Sequence, residues 1–528
     1  MKRRREDLVR YASEYYDFLA RIVTITGSNE SERFTITLYP GDSLKVQKFR
    51  VSSGTGEIKY LGYERMFQAD ETDEIRIYSR EEDDRFYIQG ETDRSPIIRL
   101  IGGQGQDSVV ERGTIHKGGR RIYFYDTPGS YIFNGGDVKD KRSGRRQVNY
   151  YNRYDFQYDI AMPQVTGGYN PDDGLFLGGG VLIRKYGFRK NPYASEHRIL
   201  ASLAPRSASY NLRYIGDFID AVGNLDFELK ARIDEPSFGD FFYGFGNKTN
   251  FNESIFDDQR QFYRVRYSQW LVQPLLRLNS QNRRHNFRFG PYYRSVRIRQ
   301  DENTGITDRF IIAYSEFVGR GLESSIPLLD NRRHYTGLQL AYQLDLRDSD
   351  DFTRNGLLWN SNATFGFQIN DEEFIHQRIS SDLSFFFTVG QGFQVTFAGR
   401  VGGQANFGDF EFYQAARLGG LSNLRGYRKL RFAGDQSFYT NFELRVKLLE
   451  IKSILFPALF GFHLYRDQGR VWSDAPNLPV QNPEKAEWHR GMGGGVWLAP
   501  LGTLVVSTDY ARSNDGEDAF YVRLGFFF

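Results

Sequence analysis

The chain has 528 residues, 69 of them Lys or Arg and 66 Asp or Glu, with 45 Phe, 34 Tyr, 54 Gly and no Cys. The near balance of charge carries no nucleic-acid footprint, the lack of cysteine excludes a disulfide scaffold or thiolate site, and no run of about 18 apolar residues predicts a transmembrane helix. An aromatic share of 16% beside 26% charged residues suits a membrane β-barrel, whose strands need apolar outward faces, aromatic girdles and a polar lumen.

Residues 1–23 open on MKRRRED and continue with Leu8, Tyr11, Tyr15, Leu19 and Ile22 at spacings of three to four. This predicts one amphipathic helix; a signal peptide would need an apolar stretch that is missing here. For a mature protein outside the cytoplasm, such a start implies a processed or truncated form of a longer chain. The basic cluster at 2–5 reads as a solvated or linker segment, with anionic lipid as the alternative partner.

Residues 24–134 alternate with period two, as in Phe34-Thr35-Ile36-Thr37-Leu38 and Ile97-Ile98-Arg99-Leu100-Ile101, between turns of Gly, Asp and Ser. They predict a compact all-β periplasmic module. Within it Gly102-Gly103-Gln104-Gly105-Gln106-Asp107 resembles one turn of a calcium-binding glycine/aspartate β-roll. Such rolls stack several copies so that successive turns share an ion; with one copy visible, a plain glycine turn is the expectation. Residues 135–173, rich in Arg, Asn and Tyr, read as a linker.

From 174 to 528 alternating segments recur between Gly, Asn, Asp and Pro turns: 174–187, 196–206, 208–222, 224–235, 262–278, 285–300, 308–318, 334–349, 355–369, 376–390, 393–408, 437–451, 455–472, 488–500, 501–513 and 519–528. In 437–451, Phe438, Thr440, Phe442, Leu444, Val446 and Leu448 share one face, while Tyr439, Asn441, Glu443, Arg445 and Lys447 share the other. Alternation this long exceeds the usual globular strand of about 5–6 residues. It matches the roughly 9–11 residues that cross a bilayer at a tilt. The predicted fold is all-β: a 16-stranded antiparallel transmembrane barrel behind a small all-β module and one short helix. In the last segment Phe520, Val522, Leu524, Phe526 and Phe528 form one apolar face, opposite Tyr521, Arg523, Gly525 and Phe527. This looks like the C-terminal signal of bacterial outer-membrane barrels.

Between the eleventh and twelfth segments runs Gly419-Gly420-Leu421-Ser422-Asn423-Leu424-Arg425-Gly426-Tyr427, part of a connection expected to fold inward over 419–436. The thirteenth segment contains Tyr465-Arg466-Asp467-Gln468-Gly469. Together they resemble the signature of the BamA/TamA-like outer-membrane superfamily, the bacterial surface antigen type, over roughly residues 174–528. The resemblance implies a loop in the lumen with Arg425 paired to Asp467, and an openable seam between first and last strands. Gly178, Gly179 and Gly180 on the first segment and Gly525 on the last are the candidate weak points of that seam. Apart from the resemblance, Arg425 has five donors and a fixed charge, and alternation points Glu443, His463, Tyr465 and Asp467 inward. In a wet channel such a lock is worth a few kcal/mol at most. Gly426 permits a sharp turn and Tyr427 a packing contact.

Relatives carry periplasmic modules of two helices on a three-stranded sheet, whereas one clear helix precedes the barrel here and substrate capture by that route is not expected. Its all-β module before a barrel is similar to Bacteroidetes-type forms in which the barrel follows an enzyme domain such as a phosphoesterase. Catalysis within the 528 residues is not expected: the seven histidines are scattered, and neither HExxH nor GxSxG occurs. Acidic turns at Asp172-Asp173 and Asp348, Asp350 and Asp351 read as solvated; no cofactor and no metal are expected. The expected function is insertion or translocation of polypeptides. The alternatives are an anchor or exporter of a larger protein with an upstream enzyme domain, and a passive porin. Expected partners are outer-membrane lipid and lipopolysaccharide, an unfolded or exported polypeptide, and accessory lipoproteins.

Overall fold

Period-two alternation serves opposite ends in the two compact units, Met1–Gln157 and Tyr158–Phe528: apolar side chains point inward in the first and outward in the second. The computed structural model describes residues 2–528 except 120, 145–147, 154–155, 171–173, 206–207, 236–239, 249–263, 266, 299–331, 351, 370, 454–456, 474–486 and 503.

The first unit starts with the helix Lys2–Ala20. Strands Ile22–Thr26, Glu74–Tyr78, Ile97–Ile101, Ile122–Tyr125 and Val138–Asp140 then lie parallel in one sheet. Glu32–Tyr39, Arg85–Thr92, Ser108–Ile115 and Tyr131–Phe133 lie parallel in a second, which Ser43–Val51 and Ile58–Gln68 extend antiparallel. Each circuit of the chain contributes one strand to each sheet, so the all-β module is a short solenoid. Like side chains stack in register, Ile77 on Leu100 on Phe124 and Phe86 on Val109. These residues, with Phe34, Ile36 and Ile98, form the buried core. The glycine motif forms a coil corner: Gly103 has φ +95°, and a Cβ there would stand 1.9 Å from the Arg80 carbonyl of the coil before it.

In the second unit sixteen antiparallel strands close into a barrel. They are numbered 1 to 16: Ile160–Asn170, Gly174–Lys185, Ser195–Ala204, Ser209–Val222, Leu225–Glu235, Tyr267–Asn279, His285–Ile298, Arg333–Asp345, Gly356–Gln368, Asp371–Val389, Gln394–Gly408, Gln436–Ile451, Ala458–Trp472, His489–Pro500, Val506–Ser513 and Asp518–Leu524. Leu175, Leu177, Leu338, Phe387, Phe397 and Phe442 are exposed on the outside. Asp226, Glu228 and Arg277 lie on the inner face, with Arg277 Nη2 2.7 Å from Asp217 and 2.9 Å from Asp226. Among the described residues no helix is long and apolar enough to cross a membrane.

Two expectations need correction. Strand 1 lies inside the expected 135–173 linker, because Pro163, Gly167 and Gly168 interrupt its β-forming pattern. Segment 308–318 lies outside the described residues, and strand 1 takes its place in the count of sixteen. Strands 8 to 16 therefore keep their expected ordinals. The last strand ends at Leu524, and Gly525 (φ +91°) breaks the alternation. Phe520 and Leu524 are exposed as expected, and Val522 pairs with Tyr169. Phe526 and Phe528 instead turn into the lumen: the Arg445 guanidinium stands 4.0 Å from the Phe526 ring and 5.5 Å from that of Phe528.

Candidate functional site

Strand 11 is followed by a single turn at Phe412–Gln414 and by two short paired strands, Ala416–Leu418 and Phe432–Gly434. The tip between them carries Arg425 into the barrel interior, where strands 12, 13 and 15 present carboxylates. Arg425 Nε and Nη2 donate to the two oxygens of Asp467 at 2.8 and 2.9 Å, and its backbone amide adds a third bond at 3.1 Å. Nη1 donates to Glu443 at 2.9 Å and to Asp509 at 3.2 Å. The guanidinium lies between two rings, 3.4 Å from the Tyr465 centroid and 4.0 Å from that of Phe527.

Further side chains hold these acids in place. Arg445 Nε donates to Glu443 at 2.9 Å, and Arg445 Nη2 to the Phe528 main-chain oxygen at 2.8 Å. Arg523 and His463 both reach Asp509, at 3.1 and 3.0 Å. Arg425, Glu443, Asp467 and Asp509 side chains are all 0% exposed, so the wet channel expected around this pair is closed here. Burying charge costs several kcal/mol per ion and is recovered only with near-complete pairing. That is why the cluster spans several strands and not a single pair.

Glycine decides how closely the loop can approach. Gly426 has φ +92°, and a Cβ on it would stand 3.0 Å from the Arg512 backbone. On strand 14, a Cβ on Gly491 would lie 1.9 Å from the Arg425 carbonyl. Gly469 faces Leu418 of the loop, whose Cδ1 would be 3.0 Å from such a Cβ. Tyr427 donates to Asn514 at 2.5 Å, packs against Phe432 and His489, and offers its carbonyl to the Tyr521 hydroxyl at 3.3 Å. The loop is also held by residues 241–247. Arg417 donates to the Phe241 carbonyl at 3.1 Å and the Gly246 amide to the Ala433 carbonyl at 2.8 Å, while Asn247 is tied to strand 13 by bonds of 2.8 and 3.0 Å with Val471.

The expected lock residues Arg425, Glu443 and Asp467 thus meet, with Gly426, Tyr427 and Gly469 around them. Asp509, Arg445, Arg523 and Gly491 were not singled out from sequence. Extending the inward alternation through Ser507, Asp509 and Ala511, all buried, would have found Asp509. The seam glycines are displaced. Gly178, Gly179 and Gly180 lie on strand 2, paired with strands 1 and 3, because strand 1 starts earlier than expected. Gly525 follows strand 16 instead of lying in it. Among the described residues strands 1 and 16 share the register pair Tyr169↔Val522, whereas strands 12 and 13 pair from Gln436↔Trp472 to Ile451↔Ala458. At the seam, strand 1 brings Gly167 and Gly168, and a Cβ on Gly168 would stand 3.1 Å from the Val522 carbonyl.

Residues 207–528 match the model of the Omp85 superfamily domain. No curated protein matches the chain by sequence. Solved structures similar to it include BamA from Haemophilus ducreyi lacking POTRA domains 1–3, at 12% identity over 70% of each chain with a TM-score of 0.47. CdiB from Acinetobacter baumannii matches at 15% identity over 70% of this chain and 60% of that one, TM-score 0.42. CdiB from Escherichia coli matches at 12% over 74% and 66%, TM-score 0.41.

Proposed function

Because the chain belongs to the Omp85 superfamily, we propose that it inserts or translocates polypeptides using a fixed Arg425 loop and a movable seam between strands 1 and 16. The superfamily's barrels mediate protein insertion or secretion; this one lies in the bacterial outer membrane with its N-terminal module in the periplasm. The observation that carries the finer reading is a contrast in bonding within one barrel. The loop tip is held by a buried Arg425 on three carboxylates. Among the described residues the seam shows one register pair.

Each missing ladder bond lowers the cost of strand separation, and Gly167 and Gly168 bring no side chains that would hold the edge. A segment with unpaired backbone groups gains by adding to such an edge. In this reading the substrate strand pairs with strand 1 or 16 while the loop keeps strands 12 to 16 in shape. Polypeptide, with its uniform backbone donors and acceptors, is therefore the substrate class, and lipid borders the open edge.

The chain has no native cysteine, so a disulfide placed at Tyr169→Cys and Val522→Cys is the only one that forms. With the protein reconstituted in vesicles and supplied with an unfolded outer-membrane barrel as substrate, oxidation is expected to stop assembly and reduction to restore it. Full assembly by the completely cross-linked protein would refute the movable seam.

A further inference from the structure

One corner of the solenoid is lined by acids where apolar side chains would be the ordinary filling. Asp84 and Asp107 hold equivalent places in successive coils, each just before a strand of the second sheet, and Ser130 holds that place in the next coil. One oxygen of each acid is used for stacking: Asp84 Oδ1 accepts the Glu32 amide at 2.6 Å and Asp107 Oδ1 the Asp84 amide at 2.7 Å. Across the corner, Asp126 Oδ1 accepts the Thr127 amide at 2.6 Å and Asn149 Nδ2 at 3.0 Å. The second oxygens of Asp107 and Asp126 have no hydrogen-bond partner, although both residues are 0% exposed. Asp84 Oδ2, in the neighbouring coil, is in the same state.

The two free oxygens converge. A Cβ on Gly102 would lie 2.1 Å from Asp107 Oδ2 and 2.4 Å from Asp126 Oδ2, so both carboxylates point at the one spot that a side chain there would take. Two buried carboxylates aimed at one another repel and are costly unless a proton or a cation lies between them. Carboxylate oxygens in a glycine-rich turn are the donors that calcium takes, together with carbonyls and water. A cavity of about 600 Å³ lies beside the corner: Thr127 and Asn149, the two groups bonded to Asp126, stand in its wall and separate it from the acids.

We propose that this corner is a structural calcium site, with Asp107 and Asp126 as its carboxylate ligands, beside the cavity that Asn149 lines. The ion ties the strand ends of two coils together, as the Gly102–Asp107 turn does in a glycine/aspartate roll, but with the second acid drawn from the next coil. The single motif copy in the sequence is thus compatible with a shared ion.

The test uses the full chain in detergent, stripped with a chelator and dialysed against calcium chloride, beside the Asp107→Asn, Asp126→Asn double variant. Wild type is expected to retain one more bound calcium per chain than the variant. Its cleavage by protease within 24–140 is expected to slow about tenfold on adding calcium, as mass action gives for an ion well above its Kd. Equal calcium retention by both proteins would overturn the site. If the variant does not fold, wild type decides alone: cleavage unchanged by calcium overturns it. Cleavage that slows on acidification but not with calcium assigns the pair to a shared proton and likewise overturns it.

Discussion

The two units bury acids in opposite ways. In the barrel, Glu443, Asp467 and Asp509 surround one guanidinium, with Arg445 and Arg523 behind them. In the solenoid, Asp107 and Asp126 share a corner in which an oxygen of each has no hydrogen bond. In the first every acid faces a guanidinium of the chain, Asp509 Oδ2 through the Arg523 ion pair alone, and the proposed role is that of a lock. The second calls for something supplied from outside. Buried charge is therefore informative through its partners, and the number of acids says little by itself.

Breaking the barrel cluster should have the largest effect. Arg425→Ala leaves three buried carboxylates without their shared partner, which costs about 3–5 kcal/mol. The strand ladder remains, so the barrel should persist while the tip undocks, seen as new protease cuts in 419–431 and loss of substrate assembly. Asp467→Asn keeps some hydrogen bonding and should move both readouts the same way by less.

The solenoid also has an acid that is paired, which tests whether pairing or location sets the cost. Glu74 accepts from Arg76 at 2.5 Å and from Arg99 at 3.1 Å. Burial pushes its carboxyl up, but the Arg99 hydrogen bond and the charges of Arg76 and Arg99 outweigh this and hold it below the usual range. Its folded pKa is depressed, so its stabilisation is present above the unfolded value of about 4.3 and is lost as pH falls through the folded value. Glu74→Gln should cost the module about 3 kcal/mol at neutral pH and flatten the acid limb of its denaturation profile. An unchanged acid limb would show that the arginine pair does not set it.

Smaller changes probe the loop tip without touching charge. Gly426→Ala forces a side chain into left-handed backbone at about 1–2 kcal/mol, read as a lower thermal midpoint for loop protection. Tyr427→Phe removes the bond to Asn514 while leaving the ring packed, at about 1 kcal/mol with substrate assembly near wild type.

Much of this architecture was legible in the sequence. Long alternation identified the barrel, and the loop and Asp467 took the ordinals 11 and 13 because segment 308–318, outside the described residues, was counted in place of strand 1. Strand 1 was not legible, because Pro163, Gly167 and Gly168 mimic a linker at a weakly paired edge. Gly525 reversed the direction of Phe526 and Phe528 through one backbone angle that alternation cannot register. The solenoid repeat was hidden for another reason. Stacked interior positions need only be apolar, so Ile77, Leu100 and Phe124 occupy one column without resembling each other. Of the lock, Arg425, Glu443 and Asp467 were readable from motif and alternation. Alternation alone puts Asp509 on the inner face, but that it and Gly491 meet the tip is set by barrel closure.

If Arg425 holds the loop across the lumen as proposed, the loop should block ion flow, and single-channel conductance in planar bilayers tests this most directly. Wild type should pass small, unstable currents, and Arg425→Ala large, steady ones approaching those of a deletion of 419–431. Large steady conductance in wild type, or no change on Arg425→Ala, would contradict the account.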